Sequence, residues 1–426
     1  MKFKTSILFL FVFFIVFAQS SFAQNAADPF VNNEIIIKLN QASDLIAIAQ
    51  QYGINPAPMS QMGNQPIYRL RVPNGVPVVQ LAALLRADPL NRVAIAEPNF
   101  VLGTPTAGNT PWSMGGSWSI GGSWSIGSSV KGYSIQWMRS RINLDAAQAV
   151  SRGSGMKIAV IDTGIDRQHP IFAGKLLPGY DFVDNDNDPS EVGSPHAGAY
   201  GHGTHVAGII AMVAPDAKIM PLRILDQNGG GDIWRLAKAL IFAANPDGDV
   251  TTDDGVEIIN LSLGTTEKAD LIRKIIAAET NSDPSNEDPD LPQIGHPGIM
   301  VIASAGNTGN GMHIYPAATD DIHGLIAVGS SSPSDTISGF STRGEWVKLM
   351  APGERIVSSV PGGRYGVWQG TSMSAPIVAG IAALVRQRYP GLSPNAVFDQ
   401  MWRTAAPGDI TTRRRIDAGE AVTNNP

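Results

Sequence analysis

From Tyr133 to Val422 the chain repeats one pattern, a short and nearly continuous apolar run followed by a stretch of helical periodicity. The apolar runs are Lys157–Ile161, Lys218–Leu222, Val256–Asn260, Ile299–Ala303 and Leu325–Val328. Helical spacing falls at His205–Met212, Ile233–Ala243 and Lys268–Glu279. A strand with one wet face alternates apolar and polar residues, and these runs do not. Strands buried on both faces and joined by helical crossovers make a parallel sheet covered on both sides. The predicted fold class is therefore α/β. In such sheets the functional groups collect beyond the carboxyl ends of the strands.

The segment from Asn33 to about Phe100 reads differently. Glu34–Leu39, Ile67–Val72 and Val93–Ala96 are strand candidates, while Ser43–Gln51 and Val76–Arg86 have helical spacing. Strand, helix, strand, helix, strand suits a small α+β sheet of ferredoxin-like type with its helices on one face. A unit of this size buries a modest core and gains stability by packing on something larger. Residues 104–133 then break the pattern with Gly, Ser, Thr and Pro and a hexad repeat that begins at Trp112, Trp118 and Trp124. That composition reads as a flexible connector, with a hairpin or an aromatic surface strip as the alternative.

The first residues are of a third kind. Lys2 and Lys4 precede the apolar run Ile7–Phe17, and small residues follow at Ser21 and Ala23. This is the layout of a secretory signal peptide, residues 1–23, cut after Ala23. The run falls short of the ~20 residues a membrane span needs. No later segment is apolar enough, so no span is expected once the signal is removed, and the product should be secreted or periplasmic. The 426 residues contain no Cys, which excludes a disulfide scaffold, thiolate-bound metal and thiol catalysis. A net charge of −6 argues against nucleic acid as a partner.

Three polar residues stand where the α/β scheme wants chemistry. Asp162 follows the strand 157–161 in Asp-Thr-Gly-Ile-Asp, His202 opens a helix in Gly-His-Gly-Thr-His-Val-Ala-Gly, and Ser372 opens another in Gly-Thr-Ser-Met-Ser-Ala-Pro. A Ser hydroxyl is a poor nucleophile until a base lies within hydrogen-bond reach. An imidazole can take its proton, and a carboxylate on the other ring nitrogen holds the tautomer. A helix N-terminus adds backbone N–H groups for a developing oxyanion.

These motifs, in the order Asp, His, Ser, resemble the subtilisin-like serine proteases, the subtilases. The resemblance covers roughly Gln136 to Val422 and extends to Asn260–Gly264, Ala303–Asn307, Tyr315–Ala317 and Ala351–Gly353. It implies that Asp162 orients, His202 is the general base, Ser372 is the nucleophile and Asn307 donates to the oxyanion. It also implies a catalytic domain over 134–426 and an inhibitory propeptide over 24–103. That propeptide would act as an intramolecular inhibitor, its tail lying in the cleft as a strand, with maturation inside 104–133. Peptide and protein substrates would pair with Ser262, Leu263 and Gly264. Gly264 with Ser304, Ala305 and Gly306 would line an open, apolar specificity pocket that admits large side chains. An esterase of the α/β-hydrolase type needs Gly-x-Ser-x-Gly around its nucleophile, which Ser372 lacks. A catalytically silent peptide binder would be expected to have lost one of the four catalytic residues.

Catalysis of this kind needs no cofactor. Structural calcium is a separate question: Asp184, Asp186 and Asp188 alternate along one loop, which suits either a weak calcium site or a solvated turn. His205, three residues after His202, reads as packing, because a His pair without a carboxylate is a poor metal site. Ser374 reads as a hydrogen-bonder at the helix start.

Overall fold

The computed structural model describes residues 28–104 and 130–426, apart from 196, 250, 251, 253, 281–297 and 408–413. The signal peptide, the Trp-containing hexads and the acidic stretch 283–290 lie outside the described residues.

The N-terminal domain contains β1 (Phe30–Leu39), α1 (Leu45–Tyr52), β2 (Ser60–Gln61), β3 (Ile67–Arg71), α2 (Val78–Arg86) and β4 (Val93–Gly103). Its strands are antiparallel in the order β2-β3-β1-β4, the split β-α-β arrangement of ferredoxin-like folds. Alternation along β1 explains its unbroken apolar run. Ile35, Ile37 and Leu39 pack with Ile48, Leu81 and Leu85 of the two helices. Ile36 points the other way, into a cluster that includes Trp234, Leu236 and Leu240 of the larger domain. Both faces of the small sheet are therefore dry.

Two features depart from the sequence expectation. Ser60–Gln61 adds a short strand, and β4 continues through Glu97-Pro98-Asn99 to Gly103. Pro and Asn favour turns locally. Here Pro98 lies opposite Ile35 of β1, and Val101 lies opposite Asp232 of the larger domain, so pairing on both sides holds the chain extended.

The larger domain is built on six long strands: β5 (Lys157–Asp162), β6 (Lys218–Arg223), β8 (Ile258–Leu261), β9 (Met300–Ser304), β10 (Leu325–Ser331) and β11 (Val347–Pro352), with short β7 (Gly230–Asp232) outside this sheet. The order is β11-β10-β9-β8-β5-β6, every neighbour parallel. Tyr180–Asp181 extends one edge, and Arg414–Arg415 then Ala406–Pro407 extend the other. Helices α3 (His202–Val213) and α6 (Thr371–Arg388) cover one face over Ile158, Val160, Ile258 and Ile302. Helices α4 (Ile233–Ala244) and α5 (Asp270–Glu279) cover the other over Ala159, Ile161, Ile259 and Val301. Helices α3 and α6 are buried along almost their whole length, so neither shows the apolar stripe of a surface helix. Helix α3 begins beyond the carboxyl end of β5, and α6 begins beyond that of β8.

Candidate active site

Asp162 is the last residue of β5, and its carboxylate is fully buried. Its Oδ1 accepts from the Thr163 N–H at 2.7 Å and lies 2.7 Å from His202 Nδ1. A carboxylate in this position makes Nδ1 the protonated nitrogen and leaves Nε2 as the acceptor. Helix α3 brings His202 close because its second residue is Gly203, where a Cβ would come within 2.1 Å of the Gly164 carbonyl oxygen. Only glycine fits there.

Ser372 is the second residue of α6 and is 2 % exposed. Its hydroxyl rests on the Ser262 carbonyl oxygen at 3.4 Å, while Ser262 Oγ donates to the Ser372 carbonyl at 2.9 Å. The segment after β8 is thus laced to the start of α6. Asn307 follows β9, and its Oδ1 accepts both the N–H and the hydroxyl of Thr371 at 2.9 Å. Those bonds fix the amide so that Nδ2 is its donor end. Among the four catalytic candidates, Asp162 and His202 are directly bonded, and Ser372 and Asn307 are joined through Thr371.

His205 is packing, as expected. It stacks on Trp368 with ring centroids 4.6 Å apart, and Nε2 reaches the Gly366 carbonyl at 3.3 Å. Burial, then the nearby His202, lowers its pKa to about 3, so it stays neutral. Ser374 differs from expectation: its hydroxyl donates to the Ala351 carbonyl of β11 at 2.9 Å, a tether between helix and strand. Ser304 is buried at the end of β9, and Ala305 packs with Val347 and Met350 in a small separate cluster.

Beside the residues expected to line a specificity pocket stands one the sequence reading does not assign. Ile314 lies against both pocket glycines. A Cβ on Gly264 would fall 2.4 Å from its Cγ2, and one on Gly306 would fall 2.6 Å from its Cγ1. The two glycines make room for Ile314. Its only sequence signal is its place directly before Tyr315-Pro316-Ala317.

The acidic loop spends its carboxylates on other partners. Asp184 and Asp181 both pair with Arg223, Asp188 takes Arg167 at 2.9 Å, and Asp186 accepts from the Asp188 N–H at 2.8 Å. Among the described residues no three His, Asp or Glu side chains converge as a metal site requires. With two guanidinium groups where a cation would stand, Asp184, Asp186 and Asp188 do not fit a resident calcium ion.

The cleft is already filled by the chain itself. Past Phe100, β4 leaves its own sheet and pairs antiparallel with β7, Leu102 opposite Gly231. Gly103 then exchanges both hydrogen bonds with Gly264, at 3.0 and 2.8 Å. Leu102 is buried in an apolar slot lined by Ile233, Leu236 and Leu263. The same strand clamps the two surface helices. The Glu97 carboxylate accepts from the N–H of Asp270 at 2.8 Å and of Leu271 at 3.2 Å, at the start of α5, and Asn99 Oδ1 accepts from Trp234 N–H at 3.2 Å, at the start of α4. These are the donors a helix start leaves without intrahelical partners.

Comparison with known proteins agrees with this geometry. The family model of the subtilases matches residues 153–423. The chain belongs to the subtilase family. A second model, the fervidolysin N-terminal prodomain, matches residues 18–99, so the small domain of this subtilase is a prodomain. A thermophilic serine proteinase of Bacillus sp. (strain AK1) is 34% identical over 370 residues, covering 84% of this chain and 78% of that protein. Thermitase of Thermoactinomyces vulgaris is 35% identical over 301 residues, covering 68% of this chain and 96% of that protein. The crystal structure of fervidolysin from Fervidobacterium pennivorans superimposes with a TM-score of 0.72 at 22% identity, over 94% of this chain. The subtilase spans 62% of the length of that fervidolysin chain, and at this identity the likeness speaks for the fold. This chain is a subtilisin-like serine protease with an N-terminal prodomain.

Proposed function

We propose that the protein is a secreted serine endopeptidase made as a self-processing zymogen, with Asp162, His202 and Ser372 as its triad. The observation that carries this reading is the strand in the cleft. Residues 101–103 are bound by backbone pairing to Gly264 and β7, which any peptide can imitate, and Gly264 lies two residues beyond Ser262, which is bonded to Ser372.

Catalysis follows from the atoms in place. Ser372 Oγ turns from the Ser262 carbonyl to His202 Nε2, a tightening common when substrate arrives. Oγ attacks the peptide carbonyl while its proton passes to Nε2, and Asp162 stabilises the imidazolium. The oxyanion takes Asn307 Nδ2 and the Ser372 N–H. His202 gives its proton to the departing amine, and water then repeats the sequence on the acyl-enzyme. No step needs a cofactor.

Ile314 revises the open pocket expected from the sequence: its side chain stands against Gly264 and Gly306, and the preference becomes one for small side chains at the residue whose carbonyl is attacked. Replacing Ile314 by Gly opens the floor between Gly264 and Gly306. We expect kcat/KM for a Phe-containing peptide to rise at least ~10-fold relative to its Ala counterpart, the scale of a pocket altered by a few carbons. Unchanged selectivity in a peptide series would remove Ile314 from the pocket.

The prodomain acts as an inhibitor because its tail fits the cleft as a product would. Burial pushes the Glu97 carboxyl from 4.5 up to about 7, against the N–H groups of Asp270 and Leu271, which favour the anion. The docked acid therefore holds a proton that the detached one releases. On this account docking is tightest below pH 4.5, weakens as pH rises to about 7, and is level above that. Prodomain affinity measured at pH 5 and pH 8 should show this loss, and Glu97→Gln should flatten it. Equal slopes in the two proteins would assign the pH effect elsewhere.

Secretion rests on residues 1–23; among the described residues no helix is long and apolar enough to cross a membrane. N-terminal sequencing of exported wild-type and Ser372→Ala protein tests signal removal and maturation together. The wild type should begin between Leu102 and Tyr133. Ser372→Ala should lack only its signal, and its normal maturation with no other protease present would rule out self-cleavage.

A further inference from the structure

The Asp162–His202 couple has a second carboxylate behind it. Asp162 itself is held on one side only: Oδ1 carries both of its hydrogen bonds, and Oδ2 is buried with none. The alignment of Asp162 and His202 must come from what joins the loop after β5 to the start of α3. One link is Thr163, whose hydroxyl oxygen accepts from the Gly203 N–H at 2.9 Å. Another is Thr204, whose hydroxyl accepts from the Asp166 N–H at 2.9 Å. Both hydroxyls have a proton left to donate, and Glu191 is there to receive it.

Glu191 Oε2 accepts the Thr204 hydroxyl at 2.9 Å and the Thr204 N–H at 3.4 Å. The Thr163 hydroxyl and the Gly201 N–H also face this carboxylate and favour its anion. Its backbone is tied down as well: the Glu191 N–H donates to Ile165 at 3.1 Å, and the Ile165 N–H donates to Pro189 at 3.0 Å. Glu191 thus touches the loop that carries Asp162 and the helix that presents His202, one residue from each. Oε1 is buried without a hydrogen bond. A buried carboxylate is costly to keep, and among the described residues no ion pair of Glu191 with Lys or Arg offsets that cost.

We propose that Glu191 is a positioning residue of the subtilase reaction, a carboxylate that locks the Asp162 loop to the His202 helix through Thr163 and Thr204. It touches neither substrate nor the reacting atoms. Burial, more than the neighbouring Asp162, raises the Glu191 carboxyl above its ordinary range, against the Thr163, Gly201 and Thr204 donors that favour its anion. What ties the two catalytic segments together is the hydrogen bonding of its oxygens.

This inference rests on the catalytic roles proposed above, and kinetics can separate the two. His202→Ala must lose turnover by orders of magnitude, and retained turnover there would sink the catalytic reading itself. Glu191→Gln keeps an oxygen for the Thr204 hydroxyl and should hold kcat within ~3-fold of wild type, the rescue expected of a positioning contact. Glu191→Ala loses that oxygen, and kcat should fall ~10–100-fold with KM within ~2-fold, the signature of misplaced groups. If Glu191→Ala does not fold, Thr204→Val breaks the same link from the helix side and should cost kcat equally. Wild-type kcat in folded Glu191→Ala or Thr204→Val would overturn the proposal. A loss confined to KM would overturn it as well.

Discussion

Replacing Ser372 by Ala is expected to lower kcat by on the order of 10⁶-fold, the scale known for the nucleophile of subtilisin, a member of the same family. The fold should survive. Ser372 is held through its backbone, where its carbonyl accepts the Ser262 hydroxyl, and its own hydroxyl makes only a 3.4 Å contact. Removing one loosely bonded oxygen from a helix N-terminus leaves the packing of α6 on the sheet untouched. Rates on a chromogenic peptide, beside an unchanged thermal transition, check both halves of the expectation. Cleavage within ~10-fold of wild type would mean that another group attacks the carbonyl, since loss of a true nucleophile costs several orders of magnitude.

Asp162→Asn should cost on the order of 10⁴-fold in kcat with little change in KM. The reason is the 2.7 Å bond between Asp162 Oδ1 and His202 Nδ1. An amide that turns its NH₂ toward the ring makes Nδ1 the acceptor and puts the proton on Nε2. A protonated Nε2 cannot take the proton of Ser372. On the proposed reading substrate would pair with the backbone at Gly264 and β7 and make no contact through Asp162, so KM should hold. A matched loss in KM would place Asp162 in binding.

Much of this was legible in the sequence because the core is parallel. Strands buried on both faces leave unbroken apolar runs, and Lys157–Asp162, Lys218–Arg223 and Met300–Ser304 lie within a residue or two of their predicted bounds. The motifs around Asp162, His202 and Ser372 were legible because helix starts and strand ends demand particular small neighbours. The strand through Pro98 was not, because its pairing partners lie far off in sequence. Ile314 was missed for a related reason: a pocket is lined by whatever folds back over it, and a pair of glycines says only that something comes close. The acidic loop misled in the opposite direction. Its spacing of Asp residues suits calcium, but Arg223 and Arg167 reach it from other segments.

The same holds for the links between the two domains. Glu97 and Asn99 carry no sign of a helix partner by themselves, yet they receive the first N–H groups of α5 and α4. That role depends on where those helices begin in space. Sequence reveals a prodomain; only the docked structure shows what it grips.

The most direct test of the central claim is to treat the mature enzyme with a radiolabelled organofluorophosphate and map the adduct by peptide mass spectrometry. The account predicts one adduct per molecule, on the Oγ of Ser372 within Gly370–Pro376, with activity lost in proportion to labelling. Full inactivation with the adduct on any other residue, or full labelling of Ser372 with activity retained, would contradict it.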